Sequence, residues 1–193
     1  IGIPGAPFPL ELKGNEQVQP ERLDGTEAGM RLRVGKRMAV DVAVFRHQYR
    51  DLLAYAMEPV TLRALERGVL GALAVNGRQG HNEGGEAVAY IDLSRKWQVT
   101  ATYSYLCASE KESNGYTNEN SAVLAALNPR HHGYVRSSWD FKRRWTADIT
   151  AYRTGALPGG TLPAMNRVDF RIGRSLGEFT EFSVTAQNLL RAG

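Results

Sequence analysis

The chain has 193 residues, 24 Lys and Arg against 20 Asp and Glu, and 42% hydrophobic residues, too many for a disordered tail. One cysteine excludes an internal disulfide and any CxxC zinc or redox site, and the +4 charge is scattered among acids rather than gathered into a nucleic-acid footprint. No apolar run approaches the ~20 residues of a membrane helix, which leaves open a membrane barrel, whose strands are short and only half apolar. The sequence starts at Ile1 without a basic-then-apolar leader and reads as a piece of something longer.

Hydrophobic period 2 dominates and predicts eight strands, at roughly 24–34, 38–49, 85–95, 97–108, 131–141, 144–154, 165–175 and 179–188. Each is near the ~9–11 residues of a tilted membrane strand. The first sets Met30, Leu32 and Val34 against Arg31 and Arg33, and the second sets Met38, Val40, Val42 and Val44 against Asp41. Ala87, Ala89, Ile91 and Leu93 oppose Glu86, Tyr90 and Asp92 in the third; Val99, Ala101, Tyr103 and Tyr105 oppose Gln98, Thr100, Thr102 and Ser104 in the fourth. The fifth opposes Val135, Trp139 and Phe141 to Arg136, Ser138 and Asp140, and the sixth opposes Trp145, Ala147, Ile149 and Ala151 to Thr146, Asp148 and Thr150. Val168, Phe170 and Ile172 face away from Arg167, Asp169 and Arg171; Phe182, Val184 and Ala186 face away from Glu181, Ser183 and Thr185. Only Pro59 to Leu73 carries a helical pattern, short because Gly68 and Gly71 interrupt it.

Connections alternate in length. Gly35–Lys36–Arg37, Lys96, Lys142–Arg143 and Gly177–Glu178 read as tight turns, with long links at 50–84, 109–130 and 155–164. This is the pattern of an up-and-down outer-membrane barrel, with tight periplasmic turns and long extracellular loops. Period 2 alone does not say which face meets lipid. Three features favour the barrel. The polar faces carry both signs of charge on neighbouring strands. Trp97, Trp139, Phe141, Trp145 and Phe179 gather near the tight turns, where an interfacial girdle belongs. The apolar faces are rich in Ala and Val and poor in large core-filling residues.

Two passages carry a family resemblance. The first runs Gly14–Asn15, Gln19–Pro20–Glu21–Arg22, Glu27–Ala28–Gly29–Met30–Arg31–Leu32, Val40–Asp41–Val42–Ala43–Val44–Phe45 and Tyr49–Arg50–Asp51–Leu52. The second is Asn128–Pro129–Arg130–His131, the Ser137–Ser138–Trp139 strand, and Ala186–Gln187–Asn188–Leu189–Leu190. In order and spacing these resemble the C-terminal barrel of TonB-dependent outer-membrane receptors. The resemblance implies an all-β, antiparallel up-and-down transmembrane barrel segment. The parent would be an outer-membrane receptor importing a scarce ligand such as a ferric siderophore. Its partners would be membrane lipid, a small-molecule ligand such as a metal chelate, and an inner-membrane energy-coupling protein acting through a plug. Neither a cofactor, nor a nucleic acid, nor an enzymatic step is expected. The plug and the first barrel strands are not in this sequence, so residues 1–193 are expected to be a partial C-terminal barrel region. The strand that usually follows the "Q-N-L" segment is also missing, and the third strand shows Glu86–Ala87–Val88 where the family has "G-V-E". Two other readings stay open. One is a free-standing eight-stranded barrel with a structural or adhesive role, which needs strand 24–34 to pair with strand 179–188. The other is a soluble β-sandwich binding module.

Other motifs read more plainly. His131–His132 are adjacent on a strand and point to opposite faces, a poor geometry for one metal ion. His81–Asn82–Glu83 sits in a glycine-rich stretch, Gly77 to Gly85, which lacks the GK[ST] of a phosphate cradle and reads as a surface loop. Glu110, Lys111 and Glu112 read as the start of a solvated hairpin tip through Ser113–Asn114–Gly115. Cys107 has no activating neighbours in sequence. Tyr103, Tyr105, Tyr116 and Tyr134 read as girdle or upper-barrel residues. Arg31, Arg33, Arg136, Arg167 and Arg171 with Asp41, Asp92, Asp140, Asp148 and Asp169 are expected to pair across the polar face, mainly satisfying one another. No ligand-contacting residue is assignable from sequence.

Overall fold

The computed structural model describes residues 9–59, 61–113, 128–141, 144–160 and 162–190. Its strands are β1 (Leu10–Lys13), β2 (Arg22–Val34), β3 (Met38–Met57), β4 (Leu70–Ser94), β5 (Trp97–Glu112), β6 (His131–Asp140), β7 (Trp145–Thr154), β8 (Met165–Ser175) and β9 (Glu181–Ala186), with one helix, α1 (Leu62–Arg67). All nine strands belong to one sheet, in which β2 to β9 follow each other in chain order and β1 pairs alongside β4. The eight expected strands are all present, in an up-and-down sheet.

Burial explains why the sheet needs something outside itself. Among the described residues the buried hydrophobic ones are Ala54, Ala72, Val75 and Ala147, all small. The chain exposes 14256 Å², whereas a globular chain of its mass exposes roughly 9,000 Å². A β-sandwich would bury large side chains between two sheets; the described strands make one sheet and no such layer. A closed eight-stranded barrel would join its first and last strands, but β2 and β9 end the path and do not pair among the described residues.

The chain divides into two compact units. One holds Ile1–Gly25, His47–Asn82 and Ala108–Ala125; the other holds Thr26–Arg46, Glu83–Cys107 and Ala126–Gly193. In the first, β1 runs parallel to the start of β4, Leu10 opposite Leu70 and Lys13 opposite Leu73. Lys13 Nζ donates to Glu58 Oε2 at 2.6 Å. α1 is six residues long and ends at Gly68, whose φ of +63° suits a residue without Cβ. The motif residues zip this unit together. Asn15 Nδ2 donates to the Ala74 carbonyl at 3.0 Å, and Glu21 Oε1 accepts from the Leu53 amide at 2.8 Å. Asn76 exchanges bonds with the Gln19 backbone at 2.7 and 2.9 Å, and its Nδ2 donates to the carbonyl of Asp51. Asp51 sits at φ 58° and holds Arg22 at 3.5 Å. The "G-N", "P-E" and "Y-x-D-L" elements are therefore polar staples.

Three sequence expectations need correction here. The stretch 50–84 is not one long link, because β3 runs on to Met57 and β4 begins at Leu70. The glycine-rich segment from Gly77 to Gly85 is strand, not loop. A backbone ladder needs no side chains, and glycine in a strand marks a close approach. In the second unit a Cβ on Gly84 would lie 2.7 Å from Phe45 Cζ and closer still to the Tyr105 carbonyl. Glu110, Lys111 and Glu112 lie in β5, not at a hairpin tip. Asn114, Gly115, Tyr116 and the Lys142–Arg143 turn lie outside the described residues.

In the second unit the register of β5 to β9 is continuous and antiparallel. Ser138 faces Asp148, Asp148 faces Arg171, and Arg171 faces Thr185. β9 stops at Ala186 rather than running to residue 188. Asn188 turns to φ 56°, its amide donates to Asp169 Oδ1 at 2.9 Å, and the Leu189 amide rejoins the Val168 carbonyl at 2.8 Å. The "Q-N-L" segment is thus a turn pinned to a strand carboxylate.

Candidate functional site

Alternation and register together give the second unit two chemically distinct faces. One face carries Gln98, Thr100 and Thr102 of β5, Tyr134, Arg136 and Ser138 of β6, Asp148 and Thr150 of β7, Arg167, Asp169 and Arg171 of β8, and Glu181 of β9. Asp148 is its hub, with a side chain only 12% exposed. It accepts from Ser138 Oγ at 2.6 Å and from Arg136 Nη2 at 2.7 Å, and Arg171 Nη1 stands 3.5 Å away. Arg171 also pairs with Glu181, and Arg167 with Asp169. Arg31 grips Asp41 in a two-pronged pair at 2.7 and 2.9 Å. Of the charges expected to pair, Arg33, Asp92 and Asp140 form no ion pair among the described residues. Tyr134 and Tyr152 pack with ring centroids 5.7 Å apart, and the Arg167 guanidinium lies 4.9 Å over Tyr152.

The opposite face is apolar and exposed. Val135, Ile149, Phe170 and Val184 lie on it, all open to the surroundings. Aromatic rows bound it. At the tight-turn end Trp97 stacks on Trp139 with centroids 5.9 Å apart, and Arg174 lies 5.3 Å over Trp145. Phe141 and Phe179 are exposed at the same end. Six and eight residues along β5 from Trp97 stand Tyr103 and Tyr105, against His131 of β6. Tyr103 Oη and His131 Nδ1 are hydrogen-bonded at 2.7 Å. Trp97 and Tyr105 are about 27 Å apart along the strand at ~3.4 Å per residue. At a tilt of ~35–45° that is a rise of about 19–22 Å, of the same order as the ~25 Å apolar band of an outer-membrane barrel.

The first unit adds a polar cluster that sequence reasoning missed. His47 Nδ1 and Asn82 Oδ1 are 3.0 Å apart, Asn82 Nδ2 donates to Tyr49 Oη at 3.2 Å, and the His47 and Tyr49 rings meet edge-on at 6.5 Å. Arg78 and Glu110 pair at 3.2 Å, both mostly buried. The shared parity of Asp41, His47 and Tyr49 was the available signal; reading Asn82 as loop hid it.

Among the described residues, neither His131–His132 nor any other set builds a metal site. His132 faces Ser104 while His131 faces Tyr105, on opposite sides of the sheet, and no group of three metal-ligating side chains converges among the described residues. Cys107 is a free, half-buried thiol within β5. The arrangement presents a wall with fixed paired charges on one side and a bare apolar band on the other.

Comparison with known proteins agrees with this geometry. A family model described as "TonB dependent receptor-like, beta-barrel" matches residues 5–189. Among solved structures, the chain resembles the siderophore receptor PirA from Pseudomonas aeruginosa, with a TM-score of 0.65 and 16% identity over 94% of this chain and 29% of that one. It resembles the FrpB iron transporter from Neisseria meningitidis with a TM-score of 0.72 and 16% identity, over 92% of this chain and 28% of that one. The copper transporter OprC matches with a TM-score of 0.64 and 13% identity, over 90% of this chain and 26% of that one. The chain therefore spans less than a third of the length of these structures. No match is found among curated proteins. The chain belongs to the TonB-dependent receptor-like β-barrel family.

Proposed function

We propose that this chain is part of the barrel wall of an outer-membrane receptor that takes up a scarce ligand, such as a ferric siderophore, by energy-coupled transport. The observation that carries the reading is the two-faced sheet: an exposed apolar band bounded by aromatic rows, backed by a face of paired charges. The apolar face meets lipid and the charged face lines a wet interior. Residues 1–193 are then a partial barrel region, with the plug and further strands supplied elsewhere in the receptor. The plug passes force from an inner-membrane energy-coupling protein, and the chain performs no covalent chemistry. Similarity to a siderophore receptor and an iron transporter supports an iron chelate as cargo. The test is uptake of radiolabelled ferric siderophores by iron-starved cells with and without the gene. Energy-dependent accumulation that disappears on deletion is expected. Equal accumulation of every iron chelate tried overturns the cargo assignment.

A further inference from the structure

The second unit carries a basic rim at its tight-turn end. Lys36 and Arg37 lie in the β2–β3 turn, Arg95 and Lys96 in the β4–β5 turn, and Arg144 in the β6–β7 turn, while Arg174 stands on β8 opposite Trp145. All six are exposed, and none forms an ion pair among the described residues. Glu178 is the one acid in the described turns. Arg33, Asp92 and Asp140 lie at the same end, but strand alternation puts them on the charged face, away from the apolar band.

Backbone bonds set three of the six at equivalent positions. The carbonyls of Arg37, Lys96 and Arg144 accept the amides of Asp92, Asp140 and Ser175 at 2.7, 2.8 and 3.0 Å. Each directly precedes a strand that opens on an apolar side chain: Met38, Trp97 and Trp145. Successive turns are two strands apart, about 10 Å. Arg174 is the best fixed of the cations. Register sets it between Trp145 and Phe182 on the apolar face, with its guanidinium 5.3 Å over the Trp145 ring. Arg144 Nη1 donates to the Gly177 carbonyl at 3.0 Å. Cations therefore edge the aromatic row where the apolar band ends.

We propose that this rim binds anionic glycerophospholipids of the periplasmic leaflet. The proposal rests on the membrane reading above, which puts the tight turns on the periplasmic side, where the leaflet consists of phospholipid. Acyl chains lie against Trp97, Trp145 and Phe182. The phosphates meet Arg174, Arg144 and the turn side chains, whose long stems reach the headgroup level. An arginine fork matches phosphate oxygens two at a time. Six cations beside one acid attract a phosphate and repel an ammonium, so a headgroup of net negative charge is favoured over a zwitterion.

The test uses the whole receptor in phosphatidylcholine vesicles that carry a trace of spin-labelled phosphatidylglycerol or phosphatidylcholine of matched chains. The fraction of label immobilised at the protein surface measures retention. The wild type is expected to retain phosphatidylglycerol about fivefold better at low salt, the effect of one charge at a membrane surface, and less so at high salt. The Arg144→Gln/Arg174→Gln double variant brings the two lipids toward equality, and Arg144→Lys/Arg174→Lys keeps most of the preference. Arg31→Gln, which removes a cation from the charged face, leaves the preference unchanged. Heat-modified gel mobility verifies that each variant is folded. Equal retention of the two lipids by the wild type, or an unchanged preference in the folded Gln double variant, overturns the proposal. A wild-type receptor recovered from cells in the soluble fraction instead overturns the membrane reading itself.

Discussion

Asp148 concentrates the interactions of the charged face, so its removal is the sharpest test of how that face is held. Its side chain is 12% exposed and receives Ser138 at 2.6 Å and Arg136 at 2.7 and 3.1 Å, with Arg171 at 3.5 Å. Hydrogen bonds to a charged group contribute about 1.5–3 kcal/mol each. Asp148→Ala does not lose their full sum. Arg136 is 52% exposed and rehydrates, and Arg171 keeps Glu181. The expected loss is about 2–3 kcal/mol, below the full ~3–5 kcal/mol of breaking a buried pair. Urea unfolding of the receptor in lipid vesicles, followed by tryptophan fluorescence, measures it. Arg31→Gln is the internal control: the pair with Asp41 is as short, at 2.7 Å, but Arg31 is 82% exposed and solvent screens it, so the cost is the smaller of the two. An Asp148→Ala cost no larger than that of Arg31→Gln would show that Asp148 is not the hub described.

Three further outcomes follow from particular contacts. Gly84→Val drives a side chain into Phe45 and the Tyr105 carbonyl and should cost about 1–3 kcal/mol in the same unfolding assay, whereas Gly14→Ala, with nothing within 4 Å of its added Cβ, should change little. Val135→Lys lies midway between the aromatic rows and should cost about 2–4 kcal/mol; Phe182→Lys, at the tight-turn end, should cost about 0–1 kcal/mol. Trp139→Ala removes the stack on Trp97 and should cost about 0.5–1.5 kcal/mol beyond the area lost, read against Trp139→Leu.

Where one face is apolar and the other wet, the strands were legible. Met30 to Val34, Met38 to Val44, Val99 to Tyr105, Val135 to Phe141, Trp145 to Ala151, Val168 to Ile172 and Phe182 to Ala186 carry the alternation, and most of the charge pairs follow from shared parity. Beyond the apolar band the signal fails for a physical reason. From Arg46 to Asp51 both faces of β3 carry polar or hydrogen-bonding side chains, and from Leu52 to Met57 both carry mostly apolar ones, so period 2 no longer distinguishes them. The first half of β4 is hidden by glycines that composition assigns to loops, although Gly84 is needed to clear the Phe45 ring. β1 has four residues, too few to show any period. The His47–Tyr49–Asn82 cluster joins residues 33 and 35 positions apart through β3 and β4, and becomes visible only once both strands are extended.

The account turns on which face of the sheet meets lipid. Single cysteines at Val135, Ile149 and Phe170, and at Arg136, Thr150 and Glu181, in a Cys107→Ser background, carry a spin label in the membrane-embedded receptor. Relaxation by dissolved oxygen and by a water-soluble nickel chelate then reads each position. Oxygen should dominate at 135, 149 and 170, and the chelate at 136, 150 and 181. The reverse pattern, or no alternation, would contradict the assignment of the apolar face to lipid.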